Sequence, residues 1–162
     1  MIGCIVQARM GSSRLPGKTL LKIDDKHTML EFGINQLSSS NLLDKIIIAT
    51  TNLKSDDVIE NFLKNMNVNI FRGKSTDVLD RYFQCAKHFS IDTIVRITGD
   101  NPLIDPTIID NLIQKFTLNS YDYLSNAHVR TFPYGTEVEI FSFKSLEQVW
   151  KNAILPSERE HV

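Results

Sequence analysis

Short apolar runs alternate along the chain with segments that carry helix signals. Four runs have the length and β-branched content of buried parallel strands, and they span residues 2–7, 45–50, 68–71 and 92–98. Capping signals and helical spacing predict helices over residues 28–38, 55–66, 77–89 and 105–116. Two later strands, over 121–125 and 137–143, and a last helix over 145–153 complete the pattern.

Local signals define where several helices begin. Thr28 and Glu31 have the spacing of a capping box, and Ser55 precedes an acidic first turn as an N-cap would. The pair Asp105-Pro106 predicts another helix start, with Asp105 as the N-cap and Pro106 in the first turn. Strand-helix alternation of this kind predicts an α/β fold with a mostly parallel sheet covered on both faces, and 162 residues fit one domain. In such sheets, ligands bind beyond the carboxyl ends of the strands.

Composition narrows the range of partners. The net charge of -1 gives no basic excess, so a nucleic-acid partner is not expected. No apolar run approaches the ~20 residues of a membrane span, and a signal peptide is not evident, so a cytoplasmic location is expected. Cys4 and Cys85 lie among apolar neighbours and are predicted to be buried, reduced thiols. The four histidines lack ligand spacing, so a zinc site is not expected.

The first 23 residues contain four cations and no acid, and GSSRLPGKT (11–19) is the densest part of this segment. Its Gly-Lys-Thr resembles the end of a P-loop. However, five residues separate Gly11 from Gly17 where a P-loop has four, Pro16 removes a backbone donor, and no helix is predicted immediately afterwards. A P-loop is therefore not predicted.

The segment instead has the composition of another kind of anion site. Gly11, Ser12 and Ser13 allow backbone N–H groups to approach an anion closely. Arg14 offers a planar fork for two phosphate oxygens, and Lys18 offers a compact point charge. The alternative is a surface loop whose charges are simply solvated.

A second group of polar residues, TGDNPLID (98–105), follows the fourth strand. Asp100 is expected at the same sheet edge as residues 9–19, which we call the basic loop. There its carboxylate could bind a hard cation such as Mg²⁺ together with the oxygens of a phosphate. The alternative is a turn that uses these residues only for their backbone geometry.

Five segments carry a resemblance to a known family, and they are QARMGSSRLPGKTL, FRGKSTDVLDRY, VRITGDNPLIDP, RTFPYGTEVEIFS and EREHV. In this order they resemble the sugar-acid cytidylyltransferases of the 3-deoxy-manno-octulosonate and acylneuraminate types. The resemblance is strongest to the group that contains spore-coat polysaccharide biosynthesis protein F. It implies a Rossmann-like fold of the glycosyltransferase-A type. It also implies transfer of CMP from CTP to a sugar or sugar-acid acceptor, with release of pyrophosphate, for surface polysaccharide.

The resemblance also implies roles for residues in both loops. Arg9, Arg14 and Lys18 would hold the triphosphate together with Gly11, Ser12 and Ser13, and the backbone of Gln7 and Ala8 would help to seat the base. Asp100 would bind Mg²⁺. Arg14, Lys18 and Asp100 are therefore the predicted catalytic residues.

Other matching positions leave alternatives open. Asp80 and Arg81 match a pair that lies near the nucleotide in the octulosonate enzymes, but a solvated helix face explains them equally well, and Arg72 has the same two interpretations. Glu137 and Glu139 are two apart on a predicted strand and so project from one face. One of them could be a second metal ligand or an acceptor contact, or both could lie on the outer face of an edge strand. Relatives often have Asp at the position of Glu137.

Relatives of this type continue beyond EREHV, so the chain is expected to be one nucleotidyltransferase domain that lacks its C-terminal part. Relatives of this type are commonly dimers, so the resemblance is also consistent with a homodimer. Two other functions remain open: a nucleotidyltransferase of the UTP, GTP or molybdopterin type, and a non-catalytic nucleotide-binding domain. The acceptor cannot be identified from the residues.

Overall fold

The structure, a computed structural model, describes residues 1–12, 15–128, 131–160 and 162. Its strands are β1 (Ile2–Gln7), β2 (Lys45–Thr51), β3 (Asn69–Gly73), β4 (Thr93–Thr98), β5 (Tyr123–Ser125) and β6 (Glu139–Ser142). Its α-helices are α1 (Met29–Leu37), α2 (Asp57–Leu63), α3 (Val78–His88), α4 (Pro106–Leu118), α5 (Phe143–Asn152) and α6 (Pro156–Glu160). Short 3-10 turns lie at Lys18–Leu20 and Lys54–Asp56.

The six strands form one sheet in the order β3-β2-β1-β4-β6-β5. The strands β3, β2, β1 and β4 are parallel, whereas β6 is antiparallel to both β4 and β5. The predicted α/β class with a mostly parallel sheet is confirmed. Because the carboxyl ends of β1 and β4 are neighbours, the loops that follow them emerge side by side.

The sheet has a hydrophobic core on each face, and the alternation of side chains along the strands divides the apolar residues between them. On β1, Cys4 and Val6 pack with α1, α2 and α4 on one face, while Ile5 packs with α3 and α5 on the other. On β2, Ile48 and Ile47 divide in the same way. Helices therefore cover both faces, as the sequence predicted.

The predicted thiol state is also confirmed. Cys4 and Cys85 are free and fully buried. Burial raises the pKa of both thiols, that of Cys85 to about 12, so both are neutral at ordinary pH. Among the described residues, no helix is both long and apolar enough to cross a bilayer.

Some of the predicted helix caps are confirmed, whereas one cap and the start of the last strand were predicted wrongly. The Thr28 capping box is present, and Asp105 caps α4 through the backbone N–H of Thr107. Ser55 does not cap α2, because it lies inside a 3-10 turn and the helix begins at Asp57. The last strand begins at Glu139, so Glu137 precedes it and the predicted pairing of the two glutamates on one strand is wrong.

The loops after β1 and β4 are held together at a glycine. The Gly99 N–H donates to the carbonyl of Gln7 over 2.8 Å. A Cβ at residue 99 would lie 2.8 Å from that carbonyl oxygen and 3.3 Å from the Cβ of Ala8. A separation below 3.0 Å is too short for a Cβ contact, so this approach of the two loops requires glycine.

We predict that Gly99→Ala lowers the free energy of unfolding by about 1–3 kcal/mol, because the added methyl meets backbone that cannot move without disturbing the β1–β4 pairing. Urea denaturation measures the change. Gly11→Ala is the matched control, since a Cβ there meets nothing within 4 Å; its stability should stay within about 0.5 kcal/mol of the parent. Equal stabilities of the two variants would contradict the steric account.

Candidate active site

The basic loop and the loop after β4 meet at an ion pair between Lys18 and Asp100. Lys18 opens the 3-10 turn that follows Gly17, whose φ of 74° is in the left-handed region that glycine adopts readily. The Lys18 side chain is 23% exposed and that of Asp100 is 38% exposed, so both remain within reach of a ligand. The sequence predicted that these two loops would share one sheet edge, and the structure brings their charged groups into contact.

The ion pair keeps the Asp100 carboxyl charged. Partial burial raises the pKa of this group. Two effects lower the pKa by more: hydrogen bonds from Lys18 and Thr98, and the positive charge of Lys18. As a result, the pKa lies below its usual value. Asp100 therefore presents an ionised carboxylate at neutral pH, which is the form that binds a hard cation.

The basic loop is folded around Met10. Its carbonyl accepts from the N–H groups of Ser12 and Gly17, each over 2.9 Å. The Thr19 hydroxyl, which is buried, donates to the carbonyl of Arg9 over 3.1 Å. These hydrogen bonds hold the described residues between Arg9 and Thr19 in one conformation. Ser13 and Arg14, two of the predicted triphosphate ligands, lie outside the described residues.

A cleft of about 580 Å³ opens beside the ion pair on the sheet face covered by α3. Its walls come from the basic loop, the loop after β3, the end of β4 and the short helix α6. The residues that carry its polar character are Gln7, Arg9, Ser12, Lys18, Ser75, Thr76, Arg96, Thr98, Asp100 and Glu160. Ala8, the other residue expected to seat the base, is buried behind the cleft. The cleft is large enough for a small ligand, and its loop end is cationic.

Arg96 lines the cleft, and the sequence reasoning missed it. Its side chain is only 13% exposed, pairs with Glu139 on β6, and lies over the ring of Tyr82, with the guanidinium carbon 5.7 Å from the ring centroid. Replacing a buried ion pair by apolar residues of similar size is often neutral or stabilising, so this pair is weak evidence for a stabilising role. A lone cation inside the apolar strand TIVRIT was the sequence signal for this residue.

Arg72, for which a place near the nucleotide was one of two interpretations, supports the loop after β2. Its Nε donates to the Thr51 carbonyl over 2.9 Å and its Nη2 to the Leu53 carbonyl over 2.8 Å. Its Nη1 pairs with Asp57 at 2.6 Å and with Glu60 at 2.9 Å. These four contacts direct the guanidinium toward the β2–α2 loop, and Arg72 is not among the residues that line the cleft.

Asp80 and Arg81 also lie outside the cleft lining. Asp80 accepts from Trp150 Nε1 over 2.9 Å, which ties α3 to α5. Arg81 is fully buried, donates from Nη1 to the Lys74 carbonyl over 2.7 Å, and packs so closely on Gly73 that a Cβ there would lie 2.9 Å from its Cγ. Burial lowers the pKa of Arg81. The structure does not place these two side chains against a ligand in the cleft.

The two candidate metal-binding glutamates contact other groups. Glu139 pairs with Arg96. Glu137 Oε2 accepts from Asn101 Nδ2 over 3.2 Å and from the Gly135 N–H over 2.8 Å. Within the described part of the chain, no group of three or more His, Cys, Asp or Glu residues is arranged to hold a metal ion. A metal in the cleft would therefore depend on Asp100 and on oxygens of a ligand.

Comparison with known proteins places the chain in a family. The cytidylyltransferase family model matches residues 3–161. An uncharacterized protein of Methanocaldococcus jannaschii is 44% identical, with 98% of this chain and 63% of that protein covered. The spore coat polysaccharide biosynthesis protein SpsF of Bacillus subtilis is 31% identical, with 98% of this chain and 66% of that protein covered. This chain thus spans slightly less than two thirds of either relative.

A solved structure agrees with these matches over the whole fold. A cytidylyltransferase from Leptospira borgpetersenii serovar Hardjo-bovis superposes with a TM-score of 0.94 at 41% identity, covering 99% of this chain and 68% of that one. The family suggested by the five sequence segments is confirmed. The chain belongs to the cytidylyltransferase family.

Proposed function

We propose that this chain carries the nucleotide site of an enzyme that transfers CMP from CTP to a sugar or sugar-acid acceptor and releases pyrophosphate. The observation that carries the proposal is the contact of Lys18 with Asp100 at the cationic end of the cleft. Membership of the cytidylyltransferase family supports CTP as the donor. The similarity to the Bacillus subtilis spore coat polysaccharide biosynthesis protein supports a role in surface polysaccharide biosynthesis.

In the proposed reaction, a hydroxyl oxygen of the acceptor attacks the α-phosphorus of CTP, and the hydroxyl proton passes to solvent water. The bond from that phosphorus to the bridging oxygen breaks, and pyrophosphate leaves with the bonding electrons. Negative charge grows on the departing oxygens, and the ammonium of Lys18 and the guanidinium of Arg9 stabilise it without forming a covalent bond. Arg14 would add a further cation to this loop.

A magnesium ion fits the donor set of the cleft. Asp100 is an ionised, partly exposed carboxylate, and Mg²⁺ commonly binds one or two carboxylates together with phosphate oxygens. When bound, the ion would neutralise charge on the α-phosphate and make its phosphorus more electrophilic. We assign Asp100 as its protein ligand, because Asp100 lines the cleft, whereas Glu137 and Glu139 are not among the lining residues.

Nucleotide preference tests this proposal against the UTP, GTP and molybdopterin-type alternatives. We predict that CTP with Mg²⁺ stabilises the protein most among the four ribonucleoside triphosphates. A ligand at 100 times its Kd adds about 2.7 kcal/mol of stability, which a thermal-shift assay detects easily. Equal or greater stabilisation by another triphosphate would move the assignment to a different nucleotidyltransferase.

Substitution of the ion pair tests the catalytic assignment. We predict that Lys18→Ala and Asp100→Asn each lower the rate of pyrophosphate release about 100-fold to 1,000-fold. The first removes the cation that we assign to the departing phosphates, and the second removes the carboxylate that we assign to Mg²⁺. The assay uses CTP, Mg²⁺ and a panel of sugar and sugar-acid acceptors.

Lys151→Ala is the matched control, because Lys151 is also an ion-paired lysine, 3.1 Å from Glu147, but lies on α5 away from the cleft. Its rate should equal that of the parent. Parental rates in the Lys18 and Asp100 variants would remove both residues from the mechanism. Tight CTP binding without turnover on any acceptor would favour the non-catalytic alternative.

A further inference from the structure

A buried carboxylate, that of Asp56, contacts the basic loop and does not line the cleft. Asp56 is 1% exposed and sits at the end of the 3-10 turn before α2. One of its oxygens accepts from the Met10 N–H over 2.8 Å, and the other accepts from the Thr51 hydroxyl. A carboxylate is costly to bury unless hydrogen bonds replace its water. Here the bonds connect the end of β2 to the basic loop.

Met10 is the residue through which this carboxylate acts on the loop. Its N–H points to Asp56, while its carbonyl accepts from the N–H groups of Ser12 and Gly17. Arg9 precedes Met10, and Lys18 follows Gly17. The orientation of the two peptide groups that flank Met10 thus sets the path of the loop before and after this residue. It also sets the positions of Arg9 and Lys18, which line the cleft.

The support beneath Asp56 is itself rigid. Thr51 is the last residue of β2, and its hydroxyl also accepts from the Leu53 N–H over 3.2 Å. The carbonyls of Thr51 and Leu53 both accept from Arg72 on β3. A continuous set of hydrogen bonds therefore runs from β3 through the β2–α2 loop and Asp56 to Met10.

We propose that Asp56 is a positioning residue for triphosphate recognition. It does not line the cleft, and it acts by fixing the Met10 peptide and hence the placement of Arg9, Ser12 and Lys18. This inference rests on the proposed function, because it assumes that the loop binds the phosphates of CTP. It implies that loss of the carboxylate weakens binding of the β- and γ-phosphates more than binding of the rest of the nucleotide.

The test compares affinities for CTP and CMP in the presence of Mg²⁺, measured by calorimetry on the parent and on Asp56→Ala. We expect the ratio of CTP affinity to CMP affinity to fall about tenfold in the variant, as expected when one buried hydrogen-bonding partner is removed. Asp56→Asn keeps an oxygen for the Met10 N–H and should restore most of the ratio. If Asp56→Ala does not fold, Asp56→Ser serves the same purpose, since its shorter side chain does not reach Met10.

Asp110 offers a matched control for a general loss of stability. Its carboxylate binds the Ser40 hydroxyl and, over 2.9 Å, the Asn41 N–H, the same two kinds of donor that Asp56 binds. Asp110→Ala should lower the unfolding midpoint but leave the CTP-to-CMP ratio within about twofold of the parent.

Three results would overturn the inference. The first is a parental ratio in a folded Asp56→Ala or Asp56→Ser protein, and the second is an equal loss of the ratio in Asp110→Ala. The third is an Asp56→Asn variant that behaves like Asp56→Ala, since it retains the acceptor for Met10. If the parent itself does not prefer CTP to CMP, the proposed function fails first, and this outcome is distinguishable from the other three.

Discussion

The site depends on how closely the carboxyl ends of β1 and β4 approach each other. The hydrogen bond from Gly99 to the Gln7 carbonyl continues the ladder of the two strands by one residue, into the loops. It holds the two loops at a separation that leaves no room for a Cβ at residue 99. Lys18 and Asp100 are 82 residues apart in sequence and can form an ion pair only because this contact brings their loops together.

Electrostatics imposes a second constraint on the same loops. Arg9 and Lys18 both line the cleft, and like charges in one loop repel each other. Asp100 offsets one of them directly, at the cleft. Asp56 contributes in another way, since its buried carboxylate holds the backbone of the loop by hydrogen bonds rather than pairing with a cation of the loop. The described part of the loop is therefore shaped before a nucleotide arrives, which lowers the ordering cost of binding.

The sequence predicted the strands, most helices and the convergence of the two loops, because these depend on local periodicity and on the geometry of parallel sheets. It did not predict the role of Asp56, Arg72 or Arg96. Asp56 has the pattern of a helix-start acid, and only the packing of β1 beside β2 places Met10 at its carboxylate. Arg72 follows an apolar run as a ligand-binding cation would, but the carbonyls of Thr51 and Leu53 and two acids on α2 hold it. The long-range contacts of Asp56 and Arg72 leave no local signal in the sequence, whereas Arg96 differs from its neighbours as the one cation in the apolar strand TIVRIT.

The cleft has two parts, one built on the parallel strands β1 and β4 and the other near the antiparallel strand β6 and helix α6. The groups assigned to the nucleotide lie between Gln7 and Asp100, on the parallel part of the sheet. The remaining walls include Arg96, which is oriented by Glu139 on the antiparallel strand β6, and Glu160 on α6. Substitutions on β6 or α6 can therefore alter that part of the cleft without moving the Lys18–Asp100 pair, because they do not touch the contact between β1 and β4. Under the proposed function, this division would let the nucleotide part of the cleft stay the same while the other part varies with the acceptor.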